Sequence, residues 1–310
     1  MTGRTVSIAL VATALALACS DSPTAPPGLR SPDGVMLVVR REAGRLSIYA
    51  VLPDGSRELR LTNGNADDTD PRWSPDGRQI LFVSNRDSAN GMPRAEIWIM
   101  APDGSRQRRL FAGASAAESP RWSPDGRRIV LEQHQWTVEP YFRLYVMNAD
   151  GSGVRPLAGD GGNDRSPEWS PDGQHILFYS SSLLVMNADG SGAQRLSNAS
   201  LCAGQIGGAR WSPDGSRIVY TCATTSGSSI SVMNADGSAP VAITPPGSFG
   251  YDPDDGGPVW SRDGSRIAFT SPREVYRYQV WVVSASGGTP TQVTSGTADT
   301  FVADWGPPWR

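Results

Sequence analysis

Five acidic residues are the first candidates for chemistry: Asp70, Glu118, Asp164, Asp252 and Asp304. Each lies within eight residues before a tryptophan, at positions 73, 122, 169, 260 and 305. Carboxylates that converge from separate segments raise the local negative potential. They favour a cationic segment or a hard cation such as Ca²⁺. A carboxylate pair can also cleave glycosidic bonds by acid–base chemistry. The plain alternative is that they are turn and capping residues in solvated loops. Asp252-Pro-Asp-Asp-Gly256 looks like a shortened Ca²⁺ loop, but its spacing fails the helix–loop–helix calcium template. No cofactor is called for, and Ca²⁺ is the one candidate ion. Other catalytic signatures are missing: no nucleophile elbow, zinc-protease His pair, phosphate loop or dinucleotide fingerprint occurs.

The elements that must position these acids are written as a repeat. Trp-Ser-Pro-Asp-Gly begins at residues 73, 122, 169 and 211, returns as Trp-Ser-Arg-Asp-Gly at 260, and starts without its Trp at Arg30. Asp304-Trp305-Gly306 adds a last partial copy, and the spacings run 43, 49, 47, 42, 49 and 45 residues. Ser, Pro, Asp and Gly suit successive positions of a type I turn followed by a left-handed residue, a common hairpin loop. A second tight turn recurs between copies, as in Pro102-Asp-Gly-Ser105 and Asn148-Ala-Asp-Gly-Ser152. Two turns per repeat of forty-odd residues predict six blades of four antiparallel strands, an all-β six-bladed propeller over residues 30–310. The composition fits, with 34 Gly, 25 Pro and a formal charge of −3. All 28 basic residues are arginine, and no basic run suggests nucleic-acid binding.

Strand alternation puts both kinds of tight turn on one face and every variable connection on the other. His134 and His175 then fall on opposite faces, so one site cannot use both. Variable loops on a rigid scaffold are where binding resides. The run 133–142 offers Trp136, Tyr141 and Phe142 as anchors, unless they fold back on their own blade. The first repeat lacks an innermost strand, and Phe301–Trp305 is a strand with no blade after it. The chain ends are therefore predicted to share one blade, with Trp305 in the slot that Arg30 leaves empty. Cys202 and Cys222 are predicted to pair, because their segments return to the same face.

Before the repeats, residues 1–19 read as an export signal, with an apolar run at 6–18 too short for an ordinary membrane span. It ends Leu15-Ala-Leu-Ala-Cys19, which resembles the lipobox of bacterial lipoproteins, although Ala16 stands where Leu is preferred. Residues 20–29 read as a Pro-rich tether. The two motifs together, at this repeat length, resemble the TolB-type β-propeller repeat over residues 30–305. The resemblance implies an envelope propeller that takes a protein or peptide segment at its central opening. TolB carries an N-terminal α/β domain, whereas here Gly28 runs straight into the first repeat. The expected protein is a non-enzymatic, monomeric binding module on the periplasmic side, lipid-anchored through Cys19 at the outer membrane. A glycan lyase or hydrolase using the mouth carboxylates is one alternative, and an architectural propeller is another. Mutual repulsion among the acids predicts that Asn at positions 70 and 164 leaves stability intact.

Overall fold

Each Ser-x-Asp-Gly segment closes a hairpin because its polar groups find partners within the turn. Ser74 Oγ donates to Asp76 Oδ1 at 2.6 Å, and the Gly77 N–H donates to Ser74 O at 2.9 Å with φ of +70°. The same hydroxyl–carboxylate bond recurs at Ser123, Ser170, Ser212 and Ser261. It holds the carboxyls of Asp125, Asp172, Asp214 and Asp263 below their ordinary range, the last two at about 2.

The structure is a computed structural model that describes residues 28–87, 95–113, 115–135, 141–157, 163–196, 202, 205–224, 227–245, 257–272 and 277–307. Cys19, Trp136 and Asp252 lie outside these residues. The described strands form six four-stranded antiparallel sheets. Blades 2 to 6 have their innermost strands at Asp68–Trp73, Ala117–Trp122, Arg165–Trp169, Gln205–Trp211 and Val259–Trp260. The middle strands are apolar on both sides because sheets stack on both sides; Ile80–Ser84 and Glu96–Met100 are buried throughout. The outermost strands are short, such as Arg108–Phe111 and Arg155–Pro156, and mostly polar, which suits solvent-facing edges.

Blade 1 is completed by the other end of the chain. Asp299–Trp305 pairs antiparallel with Met36–Glu42, followed by Arg45–Val51 and Glu58–Arg60. Trp305 is 2% exposed, and its indole N–H donates to Asp33 O at 2.6 Å. It packs between Met36 and Val38 of blade 1 and Val259 and Ala268 of blade 6. Every other seam carries an equivalent cluster, so the core is a ring of six seams rather than one centre. Arginines of the preceding blade cap several of these indoles by cation–π contact: Arg128 over Trp169, Arg217 over Trp260 and Arg266 over Trp305. Cys202 and Cys222 are disulfide-bonded with Cα atoms 5.6 Å apart, joining the approach of blade 5 to its second strand.

Because blade 1 borrows its innermost strand, removing residues 300–310 opens the ring and strips the seam with blade 6. The truncated chain should lose its single cooperative melting transition in calorimetry. An unchanged transition would show that closure does not hold the fold together.

Candidate functional site

Four of the innermost strands carry the same irregularity just before the tryptophan. Pairing with the second strand slips between Thr69 and Arg72, Glu118 and Arg121, Arg165 and Glu168, and Gly207 and Arg210. The third residue before each Trp is left-handed: Asp70, Ser119 and Ser166 at φ near +50°, and Gly208 at +57°. A bulge leaves an extra residue unpaired in the ladder. Proline, with no N–H to lose, occupies the next position at Pro71, Pro120 and Pro167. The closing strand slips too, with Asp304 opposite Leu37 but Val302 opposite Val38, so Ala303 is left out.

At three of these bulges a carbonyl is met by arginine. Residues immediately before the six tryptophans are Arg72, Arg121, Glu168, Arg210, Val259 and Asp304. Both Arg72 Nη1 and Arg210 Nη1 donate to Ala303 O, the latter at 2.9 Å, so side chains of blades 2 and 5 meet on blade 1 across the channel. Arg72 and Arg121 also reach Pro71 O and Pro120 O, at 3.2 and 3.0 Å. Arg72 pairs with Asp70 at 2.6 Å, and Arg121 bridges Asp70 at 3.2 Å and Glu168 at 3.0 Å. Burial alone would raise the Asp70 pKa, but Arg121, Arg72 and Arg210 together hold it below its ordinary value. Burial, with Arg121 and Arg210 nearby, pushes Arg72 down to about 9, still protonated at neutral pH. Burial would also lower Arg121, but Asp70 and Glu168 raise it.

Of the expected ring of acids, Asp70 and Asp304 act on the same three arginines, Arg72, Arg121 and Arg210, while the other described members lie apart. Asp70 is the one member held in the central network by arginine pairs. Asp304 spends its oxygens on backbone, accepting from Trp73 N at 2.8 Å and Trp305 N at 2.9 Å. Asp164 is 2% exposed at the start of blade 4, where its N–H donates to Phe142 O. Glu118 is half-buried opposite Glu132 on the second strand of blade 3. The physical reason is the bulge: acids one, three and five residues before their Trp would share a face of a regular strand, but the extra residue breaks that alternation, and Glu118, at four, starts on the other face. Among the loop anchors, Phe142 is folded back, with His134 4.9 Å from its ring and the Arg165 guanidinium 4.2 Å above it. Tyr141 stays exposed. No group of three or more His, Cys, Asp or Glu among the described residues is arranged to hold a metal ion.

Sequence reasoning passed over Glu132. It is 6% exposed and links two blades: Oε2 accepts from Ser166 N at 2.6 Å and Oε1 from Ser119 Oγ at 3.1 Å. Burial first, then Glu118 and Asp70, outweigh those bonds and raise its pKa to about 7. In blade 6, Thr270 makes the same link, its Oγ1 accepting from Val302 N at 2.9 Å.

Two predictions follow from this geometry. Asp70→Asn should destabilise the fold by about 3 kcal/mol in urea unfolding, because it leaves Arg72 and Arg121 short of a counter-charge. That reverses the expectation drawn from mutual repulsion. Glu132 binds its proton more tightly folded than unfolded, so its contribution is full below about pH 4.5 and is lost as pH rises through 7. Glu132→Gln should match the parent near pH 4 and exceed it at pH 8 by up to about 3 kcal/mol. Parallel stability–pH curves for the two proteins would contradict this.

Residues 16–138 match the family model for the TolB beta propeller domain. The fold superposes on TolB from Acinetobacter baumannii with a TM-score of 0.75 at 19% identity, over 89% of this chain and 67% of that one. A putative TolB from Agrobacterium tumefaciens gives 0.64 at 18%, over 87% and 96%. The oligogalacturonate lyase of Vibrio parahaemolyticus gives 0.56 at 12%, over 87% and 76%. No curated protein matches the chain. The family match on the first blades, together with six blades of one repeating plan, makes this chain similar to the TolB beta propeller and gives it the same fold.

Proposed function

We propose that the chain is a non-enzymatic binding module of the bacterial cell envelope, which captures a protein or peptide segment at the variable-loop mouth of its channel. The observation that carries this reading is the contrast between the two faces. One face is built from near-identical tight turns locked by Ser–Asp bonds. The connections between those turns differ in length and sequence from blade to blade, and Tyr141, which starts the strand after one of them, is exposed. The inner strands bring guanidinium and carboxylate groups together in the channel. A surface that varies on a rigid ring is suited to recognition. The chemistry of the channel favours binding over cleavage: Asp70 is charge-paired, and the Asp304 oxygens are taken by backbone N–H groups. In this reading, Cys19 carries the lipid, residues 20–29 are the tether, and the propeller works as a monomer at the periplasmic face of the outer membrane.

The test is cross-linking of the lipidated protein in envelopes, comparing the parent with Tyr141→Ala and with a Trp136→Ala, Tyr141→Ala double variant. One protein should be captured by the parent, and its yield should fall roughly tenfold with the double variant. Capture that survives both changes but is lost when Val241, exposed on the outer edge of blade 5, becomes Arg would replace this reading with the architectural one.

A further inference from the structure

The charge pairing of the channel is incomplete on one arc. Arg72 and Arg121 have carboxylate partners within 3.2 Å. Arg210, on blade 5, has no ion-pair partner within 4.0 Å among the described residues, and its one hydrogen bond is Nη1 to the Ala303 carbonyl. A guanidinium carries five N–H donors, so most of those on Arg210 are unspent. The residue is 8% exposed, yet its Nε and Nη2 are not among the sealed, unbonded atoms, whereas Arg72 Nε is. Burial first, and then Arg121, lower its pKa, as expected of a cation lacking a close counter-charge.

The surrounding wall explains the deficit. The third and fourth residues before Trp211 are Gly208 and Gly207, where blade 2 has Asp70 and Thr69 and blade 3 has Ser119 and Glu118. In blade 6 the residue before the tryptophan is Val259, packed into the seam with blade 1. Gly208 and Gly257 approach so closely that a Cβ on Gly208 would lie 2.2 Å from Gly257 Cα, so side chains cannot fill this arc. The result is a buried cation flanked by two glycines instead of by a carboxylate-bearing residue.

We propose that this arc is a carboxylate-binding subsite, in which the free edge of the Arg210 guanidinium pairs with one carboxylate of the segment that enters the channel. The inference rests on the binding-module reading and specifies the chemistry of the occupant. One negative charge matches Arg210, which among the described channel arginines lacks an ion-pair partner, and guanidinium–carboxylate pairing can be bidentate. A dianion would meet Glu168, Asp304 and Asp70, whose charges all act on Arg210. The occupant is thus acidic at this point, not cationic as the sequence suggested.

The carboxylate can come from an acidic side chain or a chain terminus, and two probes separate them. N-acetylaspartate α-amide presents a side-chain carboxylate, N-acetylglycine a terminal one, and N-acetylglycinamide serves as the neutral control. Each is titrated into the full-length mature protein labelled with ¹⁵N-arginine, following the Nε–H resonances. At least one acid should shift a single guanidinium resonance saturably in the millimolar range, and the neutral probe should not. That resonance should vanish in Arg210→Lys, whose affinity, read from tryptophan fluorescence, should be roughly tenfold weaker through loss of the bidentate geometry. No saturable shift in the parent at about 100 mM acid, far above that range, overturns the proposal without relying on any variant. Equal affinity in Arg210→Lys also overturns it. A mouth-dependent partner held equally by parent and Arg210→Lys sinks the subsite and leaves the binding module standing. Saturable carboxylate binding without any such partner supports the subsite and removes the module.

Discussion

The structure turns on the bulge that interrupts the innermost strands before their tryptophans. Without it, each inner strand would pair in unbroken register with the second strand, and only its alternate carbonyls would face the channel, as on any edge strand. With it, carbonyls such as Ala303 O and Pro71 O are released towards the centre and need donors. Water could serve, but the chain supplies guanidinium groups from the next position along. Those groups bring charge into a narrow space, and the charge calls for Asp70 and Glu168. A backbone irregularity thereby dictates a side-chain network, and the network determines what the channel can accept.

The same bulge accounts for the local sequence. A left-handed residue is required first, which Asp, Ser and Gly provide at positions 70, 119, 166 and 208. Proline follows where the N–H would be unpaired, and arginine or an acid stands beside the tryptophan. The tryptophan then leaves the channel for the seam, where Trp73 meets Leu37 and Ile48 of blade 1. Channel chemistry and ring cohesion are thus encoded on adjacent residues. A change at either one disturbs the other.

The fold was legible because its signals are local and repeated. Ser-Pro-Asp-Gly specifies its turn through bonds within five residues, and Trp305 without a following blade pointed to closure with the residues after Arg30. Cys202 and Cys222 were legible for the same reason, since their segments are hairpin neighbours. The site was legible only in outline. Acids upstream of five of the six Trp residues were conspicuous, but the bulges break the alternation that would have lined them up, and the Asp304 oxygens accept from backbone N–H groups while its charge acts on the channel arginines. The better signal was the arginine directly before Trp73, Trp122 and Trp211, with proline before two of them. It was missed because an arginine beside an aromatic residue reads as ordinary strand decoration until the bulge is seen to turn it inward.

Glu132 shows why the remaining chemistry escapes a sequence reading. Its role is defined by a neighbour on another blade, the Ser166 N–H that the bulge leaves without a ladder partner. The equivalent link between blades 6 and 1 is made by Thr270, whose hydroxyl accepts the same kind of bond without a charge. A hydroxyl suffices for cohesion, so the carboxyl at position 132 adds only its ionisation. That ionisation is placed beside Glu118 in the cross-strand register, and near Asp70 of the central network. Protonation at this seam relieves repulsion on both sides at once, whereas the seam held by Thr270 has no such dependence. The ring is therefore mechanically near-symmetric and electrostatically lopsided. The seam of blades 3 and 4 holds the carboxyl whose pKa is raised, and the arc of blades 5 and 6 holds a guanidinium with no ion-pair partner among the described residues.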